Sequence, residues 1–325
     1  MEPRVSVLIT FYNQEQYVDQ ALQSVIEQKT DFGVKILVGD DGSNDQTQER
    51  VRHWMDKFPG RIEMFVMERA PGKHVGGFRA SRNRLNLLQR VTTEYFIFLD
   101  GDDWFSFDGK LARQVAILDD PANQDCVACG HDTDMLFADG RRTTMSSRAL
   151  KEGKYAPREY WDRLYFHTDS LLARSSVIPT IDARLLENNF NDNMITFAII
   201  QRGSLYYLPF SWAVYRQTGD GIWTSGNAVV NHLRNLFLYD LCNRVNPALR
   251  PATERRFRHT WRSLLKLRRQ IDATALAPYA QEAADKRLAN SLAWIHYREL
   301  PWNQKSWLCL KAFGKRFGAI RRWLR

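Results

Sequence analysis

Cysteine is scarce in this chain, with four residues among 325. A disulfide framework needs a denser set, and the one close pair, Cys126 and Cys129, has no second pair near enough in sequence to complete a zinc site. Gly130 separates Cys129 from His131, so the haem-attachment pattern is broken as well. We therefore expect reduced thiols that are packed in the interior.

Long apolar runs are also missing. Residues 197–200 form one of the longest, which is far too short to cross a bilayer. The first nine residues lack the charged start and the extended apolar stretch of a signal peptide. These two absences favour a cytoplasmic protein.

Two phosphate-binding patterns are absent. No Gly-x-Gly-x-x-Gly follows the first predicted strand, which removes the main support for a dinucleotide oxidoreductase. Gly72-Lys73-His74 lacks the remainder of a phosphate-loop motif. A receiver domain, which also clusters aspartates at strand ends, would be far shorter than this chain.

The composition suits a globular protein whose charge is unevenly distributed. Hydrophobic residues make up 44% of the chain, enough to fill one large α/β domain and a smaller appendage. The formal net charge is +9, but residues 250–325 hold 18 Lys and Arg against 5 Asp and Glu. The basic character, and whatever it binds, therefore belongs to the C-terminal tail.

The first half alternates short apolar runs with helical patterns, which is typical of βαβ units. The spacing predicts strands at 5–9, 34–38, 62–67, 95–99, 126–129 and 134–137. It predicts helices at 15–28, from 44 or 45 onward, at 77–91 and at 110–118. We expect one α/β domain over residues 1–226 and a basic helical region over 227–325.

The helical region ends in an amphipathic pattern. Helices are predicted from 229, from 251, at 278–299 and at 302–324. The last has an apolar stripe with basic residues largely off it, which suits an anionic membrane surface. Such a tail could instead bind nucleic acid, or it could simply pack on the α/β domain. We favour the membrane surface and expect no nucleic acid as a partner.

The segment from Tyr95 to Trp104 carries the clearest chemical signal. Five apolar residues, typical of a strand buried on both faces, run directly into Asp100, Asp102 and Asp103. Open α/β sheets bind ligands at the carboxyl ends of their strands. Carboxylates this close repel unless a cation lies among them, so the cluster favours a hard divalent metal. A solvated acidic turn is the alternative.

Three strand ends together match a family pattern. Residues 5–13 read Val-Ser-Val-Leu-Ile-Thr-Phe-Tyr-Asn, residues 38–45 read Val-Gly-Asp-Asp-Gly-Ser-Asn-Asp, and residues 100–103 read Asp-Gly-Asp-Asp. Over residues 5–225 the chain resembles the family 2 glycosyltransferases, which are inverting nucleotide-sugar enzymes. The resemblance implies a GT-A fold, a Rossmann-like α/β sheet with flanking helices, here with a C-terminal all-helical extension.

The resemblance also implies roles for these residues. Thr10 and Tyr12 would contact the nucleotide, and Asp41 would accept a hydrogen bond from the imide N–H of a pyrimidine base. Asp102 would hold the ribose hydroxyls. Asp103, together with Asp100, would hold Mn²⁺ or Mg²⁺, which neutralises the departing nucleoside diphosphate.

A basic stretch precedes the acidic strand, as in relatives. It reads Arg79-Ala80-Ser81-Arg82-Asn83, and Arg82 is the candidate for the diphosphate or the pyrimidine face. The spacing from Asn83 to Tyr95 is longer than usual, so Arg79 remains an alternative. Solvated charges on a helix would also explain both arginines.

Inverting transfer requires a carboxylate away from the metal, because the acceptor hydroxyl must lose its proton as it attacks. Residues 190–194 read Phe-Asn-Asp-Asn-Met and match the position of the base in the family, which assigns that role to Asp192. Relatives often have Glu where this chain has Asn191. Asp192 would alternatively cap the helix that follows.

Two further stretches resemble parts of the family site. Residues 167–170 read His-Thr-Asp-Ser and precede an apolar segment that resembles the acceptor-side strand of relatives. Asp169 would either bind a sugar hydroxyl or form a structural turn. Residues 215–225 resemble the mobile loop over the diphosphate, in which Trp223 would cover the donor or simply pack. Many relatives carry His where this chain has Thr218, so the chain departs from the family at the position where this loop would contact a metal or a phosphate.

The motifs and the resemblance together predict a metal-dependent, inverting glycosyltransferase. The resemblance implies that it would move a hexosyl or N-acetylhexosaminyl group from a UDP-sugar to a glycan or lipid-linked glycan acceptor, in lipopolysaccharide or capsule synthesis, on the inner face of the cell membrane. The rival hypothesis is a catalytically inactive glycosyltransferase-like scaffold. Turnover of a nucleotide sugar would count against that rival.

Overall fold

The structure is a computed structural model that describes residues 1–69, 76–145, 150–163, 166–186, 191–218 and 228–267. The strands are β1 (Pro3–Phe11), β2 (Gly33–Asp40), β3 (Ile62–Val66), β4 (Tyr95–Asp100), β5 (Trp104–Phe105), β6 (Cys126–Phe137), β7 (Arg142–Thr144), β8 (Gly153–Tyr155), β9 (Leu172–Arg174) and β10 (Ser204–Gln217). The helices are α1 (Val18–Ile26), α2 (Thr47–Lys57), α3 (Gly76–Leu88), α4 (Lys110–Asp119), α5 (Pro157–Arg163), α6 (Ala183–Leu186), α7 (Asp192–Ile200), α8 (Ala228–Val245) and α9 (Arg250–Lys266).

The described strands form one mixed sheet in the order β3-β2-β1-β4-β9-β6-β10-β5, with β7 beside β6 and β8 beside β10. Strands β3, β2, β1 and β4 are parallel, and β9 runs antiparallel between β4 and β6. The α/β fold with flanking helices that the sequence predicts is therefore confirmed. Because the first four strands are parallel, their carboxyl ends meet at one edge of the sheet.

The sheet is covered on both faces, which explains why its central strands are apolar throughout. In β4, Phe96 and Phe98 belong to one buried cluster, whereas Ile97 and Leu99 belong to the other. Successive strand side chains point to opposite faces, so an uninterrupted apolar run fills two cores. Helix α1 covers one face with Val18, Ala21, Leu22 and Val25, at helical spacing.

Several boundaries differ from those predicted. Helix α1 begins at Val18 rather than at residue 15, because residues 14–17 form a turn that closes with Tyr17 N donating to Gln14 O at 2.9 Å. The two short strands predicted at 126–129 and 134–137 are parts of β6, a single strand of 12 residues. The sequence pattern divided this strand in two because its middle is polar. His131 and Thr133 lie there and are buried.

Helices α8 and α9 pack on the sheet domain through the same apolar cluster. Leu236 and Phe257 lie in the cluster that contains Trp161, whose Nε1 donates to Thr253 Oγ1 at 3.0 Å. The helices predicted at 278–299 and 302–324 lie outside the described residues. Among the described helices, none combines the length and the apolar character needed to cross a membrane.

The three cysteines that the structure describes are buried thiols: Cys126, Cys129 and Cys242. Burial raises the pKa of the Cys126 thiol. It also holds the pKa of the Cys129 thiol above its usual range. These thiols are therefore packing residues, as the sequence predicts.

Candidate active site

Three strand ends converge at the carboxyl edge of the sheet. Thr10 in β1 pairs in register with Asp100 in β4 and with Gly39 in β2. Its Oγ1 donates to Asp100 Oδ1 at 3.3 Å. The parallel register therefore brings Thr10 beside the acidic turn, with Asp41 on the neighbouring strand end.

Asp41 is buried, with 4% of its surface exposed, and two arginines neutralise its carboxylate. Arg69 Nη2 lies 2.7 Å from Oδ2, and Arg79 Nε lies 2.7 Å from Oδ1. The Arg69 guanidinium also stacks on the ring of Tyr12, 3.6 Å from its centroid. Tyr12 is 41% exposed, so a flat platform beside Asp41 faces solvent.

The two arginines of the basic stretch, Arg79 and Arg82, have different hydrogen-bond partners. Arg79 contacts Asp41, whereas Arg82 Nη2 donates to Leu186 O at 3.1 Å, beside α6. Asn83 fixes the helix to the sheet, because its Nδ2 donates to Gly39 O at 2.8 Å. The geometry places Arg79, the alternative that the sequence left open, at the pocket around Asp41.

The acidic turn is tight, and Gly101 makes it possible. A Cβ at this position would lie 2.2 Å from Cδ1 of Phe11, so only glycine fits. Gly101 N donates to Thr10 O at 3.0 Å, and Asp103 N donates to Asp100 O at 2.9 Å. The backbone thereby gathers three carboxylates at the end of β4.

Burial controls the acidity of two of these carboxyls. The pKa of Asp102 is raised to about 6, by burial first and then by the charge of Asp100. The pKa of Asp103 is raised well above its usual value, by burial and then by Asp102. Arg216 supports this turn, because its backbone N donates to Asp103 Oδ1 at 2.8 Å and its Nε donates to Asp102 O at 3.0 Å.

His167 joins the acidic turn from a distant part of the chain. Its Nδ1 lies 3.1 Å from Asp169 Oδ2 and 3.8 Å from Asp103 Oδ2. Burial would lower the pKa of His167, but the charges of Asp169 and Asp103 raise it well above its usual value. The ring also stacks on Tyr215 at 4.4 Å between centroids.

This group of side chains fits a divalent cation. Asp100, Asp103 and His167 offer ligand atoms that all lie within 4.8 Å of one another. Asp103 Oδ2 is buried without a hydrogen-bond partner among the described residues. Buried polar atoms are normally satisfied, so this oxygen lies where a metal would satisfy it. Oxygen and imidazole ligands together suit a metal such as Mn²⁺.

Asp169 supports His167 and does not face an open pocket. The side chain is fully buried, and its Oδ1 accepts a hydrogen bond from Thr133 Oγ1 at 2.8 Å. Of the two roles that the sequence left open, contact with a sugar hydroxyl does not fit this burial. Sequence reasoning missed His167 as a residue of the site, because a single histidine carries no motif.

Asp192 opens α7 on the far side of the cluster. The helix is capped by Asn191, whose Oδ1 accepts a hydrogen bond from Met194 N at 3.1 Å. The Asp192 carboxylate faces the site instead, with Oδ2 4.0 Å from His167 Nε2 and Oδ1 3.7 Å from Arg84 Nη2. The capping role that competed for Asp192 therefore belongs to its neighbour.

Arg84 is the second residue that sequence reasoning missed. It lies on α3 two positions beyond Arg82, and its Nη2 contacts both carboxylate oxygens of Asp100, at 2.6 and 2.8 Å. Nothing in the sequence distinguishes it from a solvated charge on a helix. Trp223, the predicted cover of the donor, lies outside the described residues, and Thr218 is the last residue described before that gap.

Solved structures of other proteins share this architecture. A 1–349 fragment of S. aureus TarS in complex with UDP-GlcNAc superimposes with a TM-score of 0.63 at 16% identity, covering 92% of this chain and 88% of that one. The mannosyltransferase PcManGT from Pyrobaculum calidifontis, in complex with GDP-Man and Mn²⁺, gives 0.56 at 17% identity, with 96% and 85% covered. At these identities the likeness concerns the fold, which is that of GT-A glycosyltransferases.

The chain spans less than two thirds of the length of the curated relatives described next. An uncharacterized protein of Mycobacterium tuberculosis is 25% identical over 230 residues, and the match covers 68% of this chain but 61% of that protein. The putative teichuronic acid biosynthesis glycosyltransferase TuaG of Bacillus subtilis is 32% identical over 117 residues, or 36% of this chain and 42% of TuaG. The family profile described as Glycosyl transferase family 2 matches residues 6–205. With that match over more than half of its length, the chain belongs to glycosyl transferase family 2.

Proposed function

We propose that this chain transfers a sugar from a UDP-sugar to a glycan acceptor, with inversion at the anomeric carbon and with a divalent metal. One observation carries the proposal: the acidic turn and His167 lie at the carboxyl edge of the sheet, and the Asp192 carboxylate faces them from a different element. A metal site and a separate proton acceptor within one cluster are what an inverting transfer needs.

The nucleotide binds beside Asp41 in this proposal. Asp41 accepts the imide N–H of uracil, and the platform of Tyr12 and Arg69 supports the base. Thr10 contacts the nucleotide, and Asp102 accepts from the ribose hydroxyls once its carboxyl is ionised. The complex of S. aureus TarS with UDP-GlcNAc supports a UDP-sugar donor.

Two further contacts to the donor come from the family pattern. Arg82 binds the diphosphate, and Trp223 covers the donor from the loop that follows Thr218. Arg82 must turn from its present contact with Leu186 O to reach a phosphate. Arg79, which already contacts Asp41, is the better placed of the two arginines for the base.

Asp100, Asp103 and His167 would hold the metal. When bound, Mn²⁺ or Mg²⁺ neutralises the charge that builds on the diphosphate as the sugar departs. Asp169 orients the His167 ring through its contact with Nδ1. The Mn²⁺ in the complex of the mannosyltransferase from Pyrobaculum calidifontis supports this assignment.

Asp192 accepts the proton of the attacking acceptor hydroxyl at its carboxylate. Asn191 satisfies the amide at the start of α7, so the Asp192 oxygens are directed toward the cluster.

The catalytic domain ends near residue 226, and the basic region after it holds the enzyme at an anionic membrane surface inside the cell. A glycan or lipid-linked glycan, as in capsule, lipopolysaccharide or teichuronic acid synthesis, is the acceptor class, and the relative TuaG supports it.

A donor-hydrolysis screen tests the proposal. The full chain is incubated with UDP- and GDP-sugars of hexoses and N-acetylhexosamines, with Mn²⁺ or EDTA, and released nucleoside diphosphate is measured. We expect Mn²⁺-dependent release from a UDP-sugar and its loss in Asp103→Ala. No turnover and no donor binding across the panel would favour the inactive scaffold.

A further inference from the structure

Arg84 occupies an unusual place for a charged residue. Its side chain is 11% exposed, and it reaches from α3 into the cluster of carboxylates. One nitrogen, Nη2, contacts both oxygens of Asp100 and lies 3.7 Å from Asp192 Oδ1. A single guanidinium therefore bridges a residue of the metal-binding turn and the proposed base.

The surroundings of Arg84 are strongly acidic. The carboxylates in this region are Asp100, Asp102, Asp103, Asp169 and Asp192. The charge of Arg216 acts on Asp102, but its Nε donates to a backbone oxygen and its Nη2 donates to Gln20 Oε1. Buried carboxylates repel one another unless a cation lies among them, so Arg84, His167 and Arg216 offset this repulsion when no metal is bound, and Arg84 is the one in contact with Asp100.

We propose that Arg84 is an internal counter-ion that neutralises Asp100 in the metal-free protein, competes with the divalent metal for that carboxylate, and positions Asp192 relative to the acidic turn. The inference rests on the proposed metal site and base. It assigns Arg84 a positioning role, because its contacts are to residues of the site rather than to the reacting atoms.

This role has a consequence that a purely structural role lacks. Two cations near one carboxylate repel, so the guanidinium weakens metal binding at Asp100. Its removal weakens the metal-free protein, since Asp100 and Asp192 then lose their shared partner. The same removal strengthens metal binding. A structural arginine would lower stability with and without metal and would not improve metal affinity.

The test compares full-length wild type with Arg84→Gln, Arg84→Lys and the matched control Arg90→Gln. Arg90 follows α3 and contacts Asn86, outside the site. Mn²⁺ alone is the probe: its affinity is measured by EPR of free Mn²⁺, and Tm is measured in EDTA and at saturating Mn²⁺. We expect Arg84→Gln to bind Mn²⁺ about tenfold more tightly, to have a lower Tm in EDTA and to show a larger rise in Tm with Mn²⁺.

The control variant Arg90→Gln and the conservative variant Arg84→Lys distinguish a specific effect of the Arg84 charge from a general loss of stability. Arg90→Gln should match wild type, and Arg84→Lys, which keeps a charge, should fall between. Equal or weaker Mn²⁺ binding by Arg84→Gln overturns the inference; if that variant does not fold, an unchanged Mn²⁺ effect on the Tm of Arg84→Lys overturns it. Absence of Mn²⁺ binding by wild type is a separate result, which overturns the proposed metal site itself.

Discussion

His167 Nδ1 lies 3.1 Å from Asp169 Oδ2, and both side chains are buried behind the acidic turn. A carboxylate in this position fixes the orientation of the imidazole and raises its basicity, which is how residues behind a metal ligand tune a metal site. Thr133 of β6 in turn donates to Asp169 Oδ1, so the pair is anchored to the sheet.

Asp169→Asn should therefore weaken metal binding. We expect Mn²⁺ affinity to fall by about 10- to 100-fold, because the ring of His167 loses its orienting partner. An EPR titration of free Mn²⁺ measures this change. Asp139→Asn, at an exposed hairpin turn, is the control and should bind Mn²⁺ as wild type does. Undiminished affinity in Asp169→Asn would contradict the role of this pair.

Asp192→Asn should preserve donor binding and lose turnover. An amide cannot accept the proton of the acceptor hydroxyl, so kcat should fall by about 10²- to 10⁴-fold while the donor KM changes little. Initial rates over a range of UDP-sugar concentrations separate the two parameters. Asp182→Asn, which alters an exposed ion pair with Arg184, should leave both unchanged. Near-normal turnover in Asp192→Asn would show that another group takes the proton.

Asp41→Asn should weaken nucleotide binding. The change removes a charged acceptor for the base and leaves Arg69 and Arg79 without their shared counter-ion. We expect UDP to bind about tenfold or more weakly, as is typical when a charge-assisted hydrogen bond is lost. Isothermal titration calorimetry with UDP measures this affinity. Asp19→Asn is matched, because Asp19 also pairs with an arginine, Arg50, but at the surface.

Lys110 should make stability depend on pH. Burial lowers its pKa to about 7, and its Nζ donates to Gln114 Oε1 at 2.9 Å. Between about pH 7 and the model-compound value of 10.5 the unfolded chain binds a proton that the folded protein does not. The free energy of unfolding should therefore rise with pH across this window, by on the order of 1 kcal/mol per unit.

Denaturant unfolding at several pH values tests this dependence. Lys110→Met removes the titrating group and should flatten the profile between pH 7 and 10. Lys57→Met, at an exposed position on α2, should retain the wild-type slope. A wild-type profile that is already flat over this range would rule out a neutral Lys110 in the folded protein.

Removal of residues 302–325 should reduce binding to anionic membranes. The segment carries the predicted apolar stripe and basic face, which together favour an interface of anionic headgroups. Flotation with vesicles that contain an anionic phospholipid, compared with neutral vesicles, measures the association. Equal association of the full chain and the truncated chain would contradict a membrane role for this helix.

The sequence alone predicted the parts of the site that depend on local pattern. The run from Tyr95 to Leu99 indicated a strand buried on both faces, which the structure shows, and the aspartates that follow it predicted a site at its end. Thr10 and Asp41 came from the family resemblance, and the parallel register brings their strand ends to the same edge of the sheet. The strand itself follows from the two-residue period of its side chains and from the topology of βαβ units.

Tertiary structure decided which distant side chains meet there. His167 and Arg84 reach Asp103 and Asp100 because β9 inserts beside β4 and because α3 packs over the sheet, and neither arrangement has a sequence motif. The choice between Arg79 and Arg82 depended on the rotation of α3. Helix rotation and strand insertion are set by packing across the whole core, so the charges that compensate the acidic turn could be identified only in the folded chain.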